Sequence, residues 1–195
     1  TGVQTCALPI LLCCCVAFAI GQEFKRNTFA EWVNPQQIVS SFLGKILVYV
    51  CIFCFWTWSW MFWLAHIRGY FIAGSLSLIL IAQFLLYFAY AVISSTVVLA
   101  TKDLPKTFGF IALYGGSSPS FSGITLPLNN APAFTQFWSM IIPYTPYAKL
   151  QTEQWVIGSD LWVSLLPFGI LIIFSALYFA LSIRLLRKNT LEQRS

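Results

Sequence analysis

The chain has 195 residues, 58% of them hydrophobic and only 9% charged, with a formal net charge of +5. A soluble domain carries about a quarter of its residues as Asp, Glu, Lys or Arg, so this chain lacks the polar covering that water demands, and lipid is its natural solvent. Its basic residues fall in short clusters between apolar runs, a distribution that orients a membrane protein and does not build a nucleic-acid-binding face.

In chain order, the first ten residues read Thr1-Gly-Val-Gln-Thr-Cys-Ala-Leu-Pro-Ile10 and resemble the translation of a common sequencing-library adapter. They are set aside from the fold as a scar, which leaves residues 11–195 as a partial transmembrane domain. The apolar run 11–20 is too short to cross a bilayer, which takes about 20 helical residues. It reads as the last turns of a span that begins upstream.

Residues 22–41 are mixed in polarity. Phe24, Phe29, Trp32 and Val33 make an apolar stripe at helical spacing, with Gln22, Glu23, Lys25 and Arg26 toward the other side. A short amphipathic helix lying on the membrane surface fits this pattern. Asn34-Pro35 ends it, because the residue before proline avoids the helical region. Two readings stay open: an interfacial loop, or a helix that docks a cytoplasmic partner.

Four longer runs, 42–64, 71–97, 107–126 and 161–183, each have the length and hydropathy of a span. The fold class is therefore all-α: a polytopic transmembrane helical bundle with four full spans, an N-terminal span stub and re-entrant outer helices. Cys51 and Cys54 stand in a C-x-x-C pair, but inside an apolar helix with no second pair and no nearby His they read as small packing residues. Trp56, Trp58, Trp60 and Trp63 crowd one end of the first full span, where an indole ring anchors at headgroup level.

Charge sets the orientation. If 21–41 is cytoplasmic, alternation places Lys25, Arg26, Lys45, Lys102, Lys106, Arg184, Arg187, Lys188 and Arg194 inside, against only Arg68 and Lys149 outside. The C-terminal tail is then cytoplasmic.

Two further segments stand out. Residues 114–127 carry Gly115, Gly116, Pro119, Ser122, Gly123 and Pro127, which weaken a regular helix; a broken helix at membrane depth must be buried in protein or line a cavity. They are the candidates for a pathway or gating element, beside the plainer reading of a kinked packing helix. The outer connection, 127–160, is aromatic-rich and too long for a turn. Helices are expected over 133–142 and 148–157, interrupted by Pro143 and Pro146, dipping into the outer leaflet. Ionisable residues are nearly absent from the spans, which disfavours an ion-coupled carrier. His66, the only histidine, reads as a solvated turn residue.

In order and spacing these elements resemble the C-terminal portion of a type-2 ATP-binding-cassette (ABC) exporter permease. The resemblance rests on the charged stretch 21–29, on Phe42-Leu-Gly-Lys-Ile46, on Phe121-Ser-Gly-Ile-Thr-Leu-Pro-Leu128, on Phe137-Trp-Ser-Met-Ile-Ile-Pro-Tyr-Thr-Pro-Tyr147 and on its continuation through 151–158. It implies a six-span half-transporter, here without its first span, its large outer domain and most of its second span. Glu23, Phe24, Lys25, Arg26, Thr28, Phe29 and Trp32 would lie on the coupling helix that docks a separate ATP-binding subunit. Phe137, Trp138, Pro143, Tyr147, Gln151 and Trp155 would lie on the re-entrant outer helices.

The resemblance further implies a permease subunit without its own ATPase site, binding no cofactor or metal. ATP would sit on the partner subunit, and a second permease subunit, identical or not, would complete the pathway. The substrate would be hydrophobic or amphiphilic, exported across a bacterial inner membrane. The competing reading is a membrane-embedded enzyme or assembly factor without transport activity, which would need convergent polar groups in the spans.

Overall fold

The computed structural model describes residues 2–26, 28, 32, 37–69, 71–122 and 132–192, in which seven helices form one bundle. They are α1 (Gly2–Arg26), α2 (Ile38–His66), α3 (Leu76–Thr101), α4 (Leu104–Phe121), α5 (Ala133–Ile141), α6 (Tyr144–Thr152) and α7 (Leu161–Glu192). A π-helical turn, Glu153–Ile157, prolongs α6. Among the described residues, four segments are long and apolar enough to cross a membrane: Ala7–Arg26 in α1, the whole of α2 and of α3, and Leu161–Leu191 in α7.

The boundaries differ from expectation at four places, each for a local reason. The helix around residues 11–20 is longer at both ends: it begins at Gly2, inside the stretch expected to lie apart from the fold, and runs on through Arg26, so the charged residues Glu23, Lys25 and Arg26 fall in its last turn. α3 begins at Leu76 and not at 71 because the backbone N–H groups before it are committed elsewhere. Ala73 donates to Trp155 O (3.3 Å) and Gly74 to Gln154 O (2.8 Å). α4 passes unbroken through Gly115 and Gly116, although at 18 residues it is about 27 Å long and just short of the hydrocarbon core. Pro146 does not interrupt α6 either: it is the third residue of that helix, where an N–H has no intrahelical partner to lose.

α3 is the axis. It packs most extensively against α7 and then against α1, α2 and α4. Ala82, Ala89, Ala91, Ser94 and Ser95 are buried around it, and such small side chains let neighbouring backbones approach where no hydrophobic force drives helices together. α2 buries a single stripe, Phe42, Ile46, Val50, Cys54, Thr57 and Met61, at three- and four-residue spacing. Its other face, including Ile52, Phe55, Trp56 and Phe62, is exposed and suited to lipid.

The α3–α7 seam is polar at regular intervals. Ser175, whose hydroxyl donates chiefly to Leu171 O of its own helix (2.9 Å), also reaches Leu85 O (3.4 Å), Ser182 donates to Val92 O (3.2 Å) and Asn189 to Leu99 O (2.9 Å). Donors and acceptors both recur every seven residues. The two helices therefore run parallel and in register, with the 3.5-residue period of a left-handed crossing.

Side-chain contacts also fix which ends lie together. Gly21 abuts Leu104, Lys45 pairs with Glu23, and Asn189 reaches Leu99. The end of α1, the start of α2, the end of α3, the start of α4 and the end of α7 therefore share one end of the bundle, which carries Lys25, Arg26, Lys45, Lys102, Lys106, Arg187 and Lys188. The opposite end holds Arg68, the 71–75 segment and the π-helical turn. The alternation inferred from charge is the alternation of the fold.

Candidate coupling and pathway elements

At the cation-rich end, three of the expected coupling residues converge with one from α2. The Glu23 carboxylate accepts from the Thr28 hydroxyl and from the Lys45 ammonium, which is also an ion pair. The same ammonium stands 4.2 Å from the centre of the Trp32 ring, within cation–π range. The Thr28 N–H donates to Glu23 O (3.1 Å) and the Trp32 N–H to Thr28 O (3.0 Å), a helical step beyond the end of α1. Phe24 and Trp32 pack against the core, while Lys25 and Arg26 are exposed at the end of α1 or close to it. Phe29 lies outside the described residues. The segment after α1 is thus anchored at its root by α1 and tied to α2 by Lys45, a residue whose place near one end of its span is legible in the sequence but whose partners are not.

The pathway candidates on α4 divide by environment. A Cβ on Gly115 would lie 2.8 Å from Ile10 Cγ1, so this glycine permits the close approach of α1; one on Gly116 would meet nothing within 4 Å. Ser122 is buried just beyond the helix end. Pro119 falls within α4, and Gly123 and Pro127 lie outside the described residues. The helix holds together through its own hydroxyls and its neighbours'. Ser118 donates to Tyr114 O (2.9 Å) and pairs with the Tyr90 hydroxyl (2.8 Å), and Tyr114 donates to Ile141 O (2.8 Å).

At the far end, α5 and α6 form the outer hairpin. Phe137 is exposed along with Phe134 and Met140, whereas Trp138 turns inward and donates to Ser117 Oγ (3.2 Å). Pro143 stands immediately before α6. Tyr147 is fully buried and donates to Gln83 Oε1 on α3, one turn from Tyr87, whose hydroxyl pairs with Thr57 of α2 at 2.6 Å. Gln151 and Trp155 are half-buried. Replacing Tyr147 by Phe strands the Gln83 carbonyl and is expected to lower stability by about 1 kcal/mol. The midpoint of unfolding in a denaturing-detergent titration reads this, and the double replacement with Gln83→Leu should recover most of the loss.

Two residues carry this end in a role that the sequence reading did not assign. Gln154 is fully buried; its amide donates to Ser159 O (3.0 Å) and Ser164 Oγ (2.9 Å), and its Oε1 accepts from Ser75 N (2.9 Å). Glu153, also buried, accepts from Ser164 (2.8 Å). Gln154 is visible in the sequence only as part of the 151–158 stretch that carries the resemblance, and Glu153 only as its polar neighbour; neither shows there what it binds. The sequence-expected sites thus form two separated groups, one at each end of the bundle, joined by α3 and α4.

A helical bundle with several bilayer-length spans, tied at one end by charged residues and closed at the other by an aromatic hairpin, is a multi-pass membrane protein. Residues 8–184 match the family described as ABC-2 family transporter protein, and the chain belongs to that family. It is a permease component of an ABC transporter, a transport component of the membrane and not itself the catalyst. No curated protein and no solved structure matches the chain.

Proposed function

We propose that this chain serves an ABC exporter, moving a hydrophobic or amphiphilic substrate out of a bacterial cell across the inner membrane, with its C-terminus in the cytoplasm. ATP is bound and hydrolysed on a separate subunit, and a second permease subunit completes the pathway. The observation that carries the reading is the Glu23–Lys45–Trp32 cluster. It ties the root of the segment after α1 to α2 at the cation-rich end, the end that the distribution of Lys and Arg assigns to the cytoplasm.

The mechanism rests on what is packed against what. α1 lies along α3 and α4, and α2 lies along α3. A partner that displaces residues 28–32 moves α1 through Glu23 and α2 through Lys45 together. α4, held to α1 at Gly21 and Gly115, moves with them, and its far end pulls on the outer hairpin through Tyr114–Ile141 and Ser117–Trp138. ATP-driven closure at one end is thereby transmitted to the other.

The test is co-purification of the full-length protein with an ATP-binding subunit encoded beside it. Replacing Phe24 and Trp32 by Ala together with Glu23→Lys should weaken association at least about tenfold, the scale of losing an interfacial anchor cluster. Association that survives the triple replacement would sink the docking role.

A further inference from the structure

The start of α2 and the end of α7 enclose an open groove of about 690 Å³, inside the range of about 300–1,000 Å³ usual for sites that hold a small molecule. Its lining is mainly apolar, with Ile38, Val39, Leu43 and Leu47 around Gly44, and its polar members are Gln37, Ser40 and Arg187. Gly44 faces open space: a Cβ built there would meet nothing within 4 Å.

Polarity in the groove is graded along the bundle. Arg187 stands two residues before Asn189, which binds Leu99 O where α3 ends, and so lies at the level where the spans finish. Leu43, Gly44 and Leu47 follow α2 inward from there. Arg187 is exposed and has no hydrogen-bond or ion-pair partner among the described residues. α2 begins without a side-chain cap and without an acidic residue in its first turn, which leaves the positive end of a 29-residue helix beside the same groove. A cation at headgroup depth above an apolar trough matches an anionic amphiphile. The planar guanidinium suits a phosphate, which it can bind through two N–H groups.

We propose that this groove holds one anionic phospholipid, its phosphate on Arg187 beside the first turn of α2 and an acyl chain lying along Leu43, Gly44 and Leu47. The site stands apart from the docking segment and does not depend on the transport reading, requiring only that the bundle sit in a bilayer.

The experiment is native mass spectrometry of the full-length protein after exchange into vesicles of mixed phosphatidylglycerol and phosphatidylcholine. One phosphatidylglycerol per chain should be retained in preference to phosphatidylcholine. Arg187→Gln should reduce that preference about fivefold, the contribution of one basic residue near an anionic surface. Gly44→Trp, which fills the groove, should reduce retention of the lipid as a whole while leaving the unfolding midpoint near that of the parent. Lys102→Gln, a cation at the same end but outside the groove, should change neither. Equal retention of the two lipids, insensitivity to both groove replacements, or an equal loss from Lys102→Gln would each overturn the site. So would displacement of the lipid by excess inorganic phosphate, which would reveal an anion site with no use for the trough.

Discussion

Gln154→Leu is expected to destabilise the protein by roughly 3 kcal/mol, the sum of several lost bonds and the groups they leave stranded. The two side chains are similar in volume, so the loss comes from polarity and not from a cavity. Leucine leaves the Ser75 N–H, the Ser159 carbonyl and one bond to Ser164 unmade. Each buried hydrogen bond within a membrane protein contributes about 0.6 kcal/mol on average and up to about 1.7, and stranding a donor or acceptor adds a desolvation cost of about 1–3 kcal/mol. Because the Gln154 amide joins the start of α3 to the start of α7, its loss releases both helices at once. Denaturing-detergent titration of the purified protein measures the effect. Thr152→Ala, which removes only a local bond to Ala148 O, should cost under about 0.5 kcal/mol. Equal midpoints for the two variants would show that Gln154 is not the clasp described.

Gly21→Val should cost about 2 kcal/mol through overpacking, and a second change should rescue it. A Cβ at residue 21 overlaps the Leu104 side chain, with Cγ at 2.6 Å, and a β-branched residue leaves the helix no rotamer that avoids it. α1 and α4 must then separate at the cation-rich end. Leu104→Ala alone loses packing, but combined with Gly21→Val it removes the overlap, so the pair should be less damaging than the sum of the singles. Gly21 precedes Glu23 by only two residues, so the single variant should also lose partner association, and the double variant should regain part of it. Strict additivity of the two changes would mean that this contact does not set the distance between α1 and α4.

Hydropathy made the bundle legible because in lipid a helix must satisfy its own backbone, and length with apolar composition then decides which segments can span. Charge made the ends legible, since Lys45, Lys102 and Arg187 cluster where alternation required. Two boundaries depart from expectation. Gly115 and Gly116 lower the helix propensity of their segment, yet α4 runs through them as far as Phe121 against the close fit of α1; intrinsic propensity yields there to tertiary packing. The segment 71–75 had the composition of a span but spends its N–H groups on the π-helical turn.

Pairing was the part beyond reach. Gln83, Gln154 and Asn189 are visible as polar residues near apolar runs, but nothing local says that their partners lie 64, 79 and 90 residues away. The group around Glu23 was legible as residue types and not as a cluster, because Lys45 belongs to a different helix.

The evenly spaced bonds between α3 and α7 have a mechanical consequence. Seven residues are about 10.5 Å of helix rise, so a short axial slide of α7 loses all three bonds and a slide of one full repeat regains two. These contacts therefore act as a register lock on α7. Small displacements applied to this seam are resisted and not absorbed, which makes α3 and α7 the fixed frame against which α1, α2 and α4 can work.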